Sequence, residues 1–237
     1  MDAWINELKF NPVPPLLSSK NDAILYFTKR DLLDEKVEPI ETLWKSPSVV
    51  KLINKQQEDG SWRYHSSKAD VRSNENYNQL ETYRILGQLV ELYGLTNAHP
   101  TIREAANFLF KFQTSEGDFR GIYGSQYTPN YTAGIMEILI KAGCSEDPRI
   151  EKGFRWLLPM RQNDGGWAVP MRTAQPKGSL LEALQKPEPI SPDKSKPFSH
   201  CITGVVLRAF VAHPKHGKTL EAKAAGKLLA SRLFQPD

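Results

Sequence analysis

The chain has 237 residues, 40% hydrophobic and 24% charged, which is enough for one large domain with a continuous core. Its 31 basic and 27 acidic residues leave a formal net charge of +4, and no basic run resembles a nucleic-acid stripe. Cys144 and Cys201 form neither a metal-ligand spacing nor a disulfide framework, so a reducing cytoplasm is the expected setting.

The start, Met1-Asp2-Ala3-Trp4, is acidic where a signal peptide would be basic, and no apolar run follows. The longest apolar stretches, such as residues 134–140 with Glu137 inside, are too short and too interrupted to span a bilayer. Peripheral contact with an anionic membrane is allowed by the charge, whereas a nucleic-acid partner is not expected.

Residues 1–45 read as a helical lead-in, with a helix over 23–33 ahead of Asp34-Glu35. From residue 46 two kinds of helix alternate. The first kind covers 47–57, 100–113 and 148–162, and each opens on a proline whose missing amide proton costs nothing in a first turn. Ser46, His99 and Asp147 precede those prolines at the cap position. In the second of these helices Ile102, Ala105, Ala106, Leu109 and Phe112 recur at helical spacing.

The second kind covers 77–93, 130–142 and 199–212, with fewer charges and with Gly87, Gly134 and Gly204 at mid-length. Gly94 and Gly143 end the first two in positions suited to a left-handed cap, and His213-Pro214 ends the third. A Pro- and Lys-rich insertion occupies 168–197, with a short helix over 180–186; it reads as a surface loop or as a lid over one mouth of the fold. A last helix is predicted over 219–234. No two-residue alternation is sustained, so the fold class is all-α.

Between each pair of helices stands the same phrase. Gln57-Glu58-Asp59-Gly60-Ser61-Trp62, Gln113-Thr114-Ser115-Glu116-Gly117-Asp118-Phe119 and Gln162-Asn163-Asp164-Gly165-Gly166-Trp167 share a glutamine, a polar link, a glycine and an aromatic residue. A fourth copy begins at Gln235-Pro236-Asp237. A period of about fifty residues signals stacked supersecondary units. The aromatic rings then have a structural role between layers, with the glutamine serving orphan groups at helix ends.

The phrase resembles the QW motif of the squalene and oxidosqualene cyclases, most fully in Lys152-Gly153-Phe154-Arg155-Trp156 followed by Gln162 and Gly165-Gly166-Trp167. The second copy replaces the tryptophan with Phe119, and the first has Leu52-Ile53 where an aromatic pair is usual. The resemblance implies an α/α toroid, a partial or open ring of helical hairpins with an apolar lumen. There the glutamine ties the end of an outer helix to the start of an inner one. An open ring leaves an apolar flank for a partner or a second copy.

The resemblance does not carry the family's chemistry with it. The Asp-x-Asp-Asp acid of the cyclases is absent. Against the related protein prenyltransferases, the zinc aspartate, cysteine and histidine positions fall on Gln126, Thr128 and Pro197, so neither metal nor cofactor is expected. Alignment of the second kind of helix on its C-terminal punctuation places Glu81, Asn130 and His200 at one level, with Thr82, Tyr131 and Cys201 beside them. Glu81, Asn130, Tyr131 and His200 are thus candidate ligand-binding residues, and Glu81 with His200 a candidate acid–base pair. The alternative is that they cap helices. His65, His99, His213 and His216 are expected on exposed turns, and Arg208 inside a helix either faces the lumen or pairs with an acid. Three functions stay open: binding of an isoprenoid or other apolar ligand, a non-catalytic interaction scaffold, and a divergent cyclase or transferase.

Overall fold

The computed structural model describes residues 5–65, 73–174 and 180–233. The fourth phrase at Gln235 and the insertion residues Pro176 and Lys177 lie outside them. The described residues are all-α, with no strand; a single isolated bridge joins Gln113 to Phe119.

The lead-in holds α1 (Val13–Leu17) and α2 (Asp22–Phe27), the latter running into a π-turn at Thr28–Leu32. Then come α3 (Pro47–Ile53), α4 (Asn74–Tyr93), α5 (Pro100–Phe110), α6 (Pro129–Leu139) and α7 (Pro148–Leu157). Within the insertion lie α8 (Pro170–Thr173) and α9 (Leu180–Gln185), followed by α10 (His200–Ala212) and α11 (Leu220–Ala230). The caps form as the residue types dictate. Ser46 accepts from Val49 N, His99 from Thr101 N and Asp147 from Arg149 N, which removes one orphan donor from each helix start. Gly94 closes α4 at φ 64°, in the left-handed region that glycine occupies without cost.

Helices α4, α6 and α10 stand side by side with α6 in the middle, while α5 packs on α4, α7 on α6 and α11 on α10. The central helix explains its own position. Tyr131 to Ile140 are buried without a break, the signature of a helix enclosed on every side. It can approach α4 closely because Gly134 has no side chain: a Cβ there would lie 2.8 Å from the Tyr83 hydroxyl.

The three aromatic residues of the repeated phrase are buried in matching surroundings. Trp62, Phe119 and Trp167 are 1%, 0% and 0% exposed, and truncating rings so enclosed costs about 3–5 kcal/mol. The Trp62 indole donates to Leu52 O and the Trp167 indole to Leu157 O, each at 2.8 Å and each ten residues back. The backbone N–H of each aromatic residue donates to a buried threonine hydroxyl on the helix that follows: Trp62 to Thr82 at 2.9 Å, Phe119 to Thr132 at 3.0 Å, Trp167 to Thr203 at 2.8 Å.

Candidate functional site

Those threonines fix the register of the inner helices and correct the sequence alignment. With Thr82, Thr132 and Thr203 equivalent, Glu81 stands level with Tyr131 and Ile202, Asn130 with Leu80 and Cys201, and His200 with Gln79 and Pro129. Glu81, Asn130 and His200 do not share a level, nor do Thr82, Tyr131 and Cys201. The C-terminal punctuation misled because the three helices differ in length beyond the threonine.

No hydrogen bond or ion pair joins Glu81 to His200 among the described residues, and each has neighbours of its own. Both Glu81 oxygens are engaged by Arg84, at 2.6 and 2.9 Å, an i,i+3 pair on α4. His200 is exposed at the start of α10, with its ring 4.8 Å from that of Phe198. Of the other histidines, His213, His216 and His99 differ from expectation. His213 is 4% exposed; its Nδ1 accepts from Lys215 N and His216 N, so Nε2 carries the proton and donates to Ser145 O at 3.1 Å. His216 stacks on Phe154 at 3.8 Å and reaches Glu151 at 2.8 Å. His99 is the half-buried cap of α5, and His65 alone is exposed as expected.

The glutamine of the phrase also shifts. In the first copy the bridging side chain is Gln56 rather than Gln57: its Nε2 donates to Gly60 O at 3.0 Å and to Thr101 O at 2.9 Å. Gln113 repeats the pattern, donating to Gly117 O and to Arg149 O, both at 2.8 Å. Both acceptors outside the turn lie in the first turn of the next outer helix, so the glutamine joins successive units rather than the two helices of one unit. The turn glycines make the same joint. Gly60 at φ 89° and Gly117 at φ 115° press on Glu104 O and Lys152 O of those next helices, where a Cβ would lie at 2.5 and 2.6 Å.

In the third copy this role divides. Arg161 takes the turn contact, with its Nε donating to Gly165 O at 2.9 Å, while Gln162 donates to Asp193 O and Lys196 O in the insertion. Gln126 holds the insertion from the other side, donating to Glu188 O at 3.1 Å and accepting from Ile190 N at 3.0 Å. Two buried amides thus bind the insertion across the N-terminal ends of α6 and α10.

Beneath it lies a cavity of about 230 Å³, walled by Tyr123, Asn130, Met171, Arg172, Leu184 and Ile202. A second cavity of about 450 Å³ adjoins it, sharing Val169, Arg172 and Ile202 and opening toward Lys196 and Ser199. Asn130 Oδ1 is buried there with no hydrogen-bond partner. Next to Tyr123, at a ring distance of 5.4 Å, the Tyr131 hydroxyl is likewise buried and unpartnered, and burial pushes its pKa upward. Both amide atoms of Gln79 also lack partners, close under Gly121. Of the four residues singled out by sequence, the structure brings Asn130 to this cavity and Tyr131 beside it; Glu81 and His200 do not line it.

Sequence reasoning missed the charged cluster on the same helices. Glu137 of α6, 1% exposed, accepts from Lys141 at 2.6 Å and from Arg208 of α10 at 2.7 and 2.9 Å, and Lys141 also reaches Glu91 of α4 at 2.7 Å. Arg208 therefore pairs with an acid, and its pKa is raised chiefly by the Glu137 hydrogen bond. This network borders an open cleft of about 530 Å³ that also touches Leu207 and Val211. The inner layer is not apolar throughout, contrary to the lumen expected from the resemblance. Among the described residues no group of three or more His, Cys, Asp or Glu is placed to hold a metal ion, and no helix is long and apolar enough to cross a membrane.

The fold is that of an all-α hairpin protein whose inner helices carry the candidate cavity. Residues 78–179 match the squalene-hopene cyclase C-terminal domain family, an α/α toroid family. A protein from Sinorhizobium fredii named "Probable squalene–hopene cyclase" is 25% identical over 134 residues, covering 56% of this chain. The aligned stretch spans 20% of that relative's length. Both matches are similarities over part of this chain, and they agree with its all-α hairpin fold.

Proposed function

We propose that the protein binds an isoprenoid or similarly apolar small molecule in the cavity between α6, α10 and the insertion. The observation that carries this reading is that cavity at the starts of α6 and α10: a small, partly enclosed space, mostly apolar in surface, where Val169, Met171, Leu184 and Ile202 stand with Tyr123, Thr128, Asn130 and Arg172. The squalene-hopene cyclase likeness adds the class of ligand, since the relative's name refers to a polyisoprenoid hydrocarbon. Acid–base catalysis by Glu81 and His200 has no geometric support, so the reading is one of binding. Isothermal titration with geraniol, farnesol and squalene tests it: saturable binding of at least one supports the reading, and no saturation by any of them overturns it.

A second reading, an interaction scaffold, draws on a different observation. Val211, Leu220 and Leu233 are 65%, 78% and 62% exposed on the α10–α11 side, more apolar surface than one helix pair needs to show. Sedimentation of the wild type beside Val211→Asp tests it: a wild-type dimer that the substitution dissociates supports the reading, and a monomer in both opposes it.

A further inference from the structure

The covered cavity distinguishes among apolar ligands through one atom. Asn130 occupies the second position of α6, and its amide takes no part in capping that helix, whose Thr128 cap residue itself makes no side-chain cap bond. Asn130 Oδ1 is instead buried at the cavity wall with its lone pairs unused. An acceptor buried in this way costs free energy until a donor reaches it. Arg172 lines both cavities and is itself exposed, so its guanidinium, which offers only donors, stands toward solvent at their edge, and no carboxylate pairs with it among the described residues. A buried oxygen that lacks a donor, with a solvated cationic donor at the edge of the same cavity, matches a group that gives one hydrogen bond and can receive another. A hydroxyl does both. A carboxylate suits Arg172 but leaves Asn130 Oδ1 facing an anion, and a hydrocarbon satisfies neither.

We propose that the ligand taken beneath the insertion is an apolar alcohol whose hydroxyl donates to Asn130 Oδ1 and accepts from the Arg172 guanidinium. This deepens the binding reading above and rests on it. The cavity of about 230 Å³ holds a short isoprenoid chain, and a longer one would continue past Ile202 into the adjoining space.

The test is calorimetric titration of the full chain with geraniol, geranyl methyl ether, geranic acid and the hydrocarbon myrcene. Geraniol is expected to bind about tenfold more tightly than the ether, which keeps the acceptor oxygen and lacks the donor. Asn130→Ala should remove that difference by weakening geraniol alone, and Asn130→Asp, which keeps an acceptor, should retain it. Thermal melting of each variant confirms that it is folded. Equal affinity for alcohol, ether and hydrocarbon would overturn the hydroxyl assignment while leaving apolar binding intact. Tighter binding of the acid than of the alcohol would overturn it as well, by making Arg172 the dominant group. Binding of none of the four would remove this proposal, and where farnesol and squalene also fail the binding reading falls with it.

Discussion

Gln56 donates to the carbonyl of Thr101 across 45 residues of sequence, at 2.9 Å, and so fastens the turn of one hairpin to the first turn of the next outer helix. Gln113 and Arg149 repeat this joint one unit further along. Successive units are therefore linked through half-buried amide-to-backbone bonds as well as through packing.

Gln56→Ala and Gln113→Ala should each destabilise the fold by about 1–2 kcal/mol, because two half-buried carbonyls lose their donor. Gln57→Ala should be close to neutral, since the Gln57 Nε2 has no partner to lose. Urea unfolding of the three variants separates the two registers.

The threonine that receives each aromatic backbone N–H should behave likewise. Thr132→Val and Thr203→Val keep the volume but leave the Phe119 or Trp167 amide buried without an acceptor, at a cost of about 1–3 kcal/mol. Thr→Ser at either position should restore most of the loss. Midpoints of chemical denaturation read both effects.

Removing the acid and removing the bases of the charged cluster should differ. Glu137→Met leaves Lys141 and Arg208, whose side chains are 37% and 60% exposed and can return to water, so its cost should be modest, about 1 kcal/mol. The double substitution Lys141→Met with Arg208→Met leaves a carboxylate that is 2% exposed without a partner, and should cost about 3–5 kcal/mol. Thermal and urea unfolding at one ionic strength compare the two.

Acid should weaken the start of α7. Arg149 donates to the Asp147 side chain and holds its folded pKa below the ordinary 3.8. That contribution is fully present above the unfolded value and is lost as the pH falls through 3.8 and then through the lower folded pKa. Asp147→Asn should flatten the acid limb of a stability–pH curve while changing its neutral plateau less.

The helices and their caps were legible because local chemistry decides them. Proline after Ser46, His99 and Asp147 opens three helices, and Gly94 closes one. The all-α class and the family likeness followed from the repeated phrase. The register was not legible in the same way. Gln56 and Gln57 are adjacent, and only the distance of four residues to the left-handed glycine, shared by Gln56–Gly60 and Gln113–Gly117, points to the first of them. Arg161 occupies that position in the third unit, so Gln162 attracted the assignment although its bonds lead into the insertion. Thr82, Thr132 and Thr203 lie at different distances from the ends of their helices, and this displaced His200 and Glu81 from their assigned level. Glu137 carries no motif at all: its partners come from Lys141 one turn on and from Arg208 on another helix, a relation that only packing reveals.

Titration of geraniol into the wild type and into Ile202→Trp tests the central claim most directly. Ile202 lines both cavities, and the larger ring fills the space proposed for the ligand. The account predicts saturable binding to the wild type and its loss in a variant that keeps the wild-type melting temperature within a few degrees. Undiminished binding by the folded variant would contradict it.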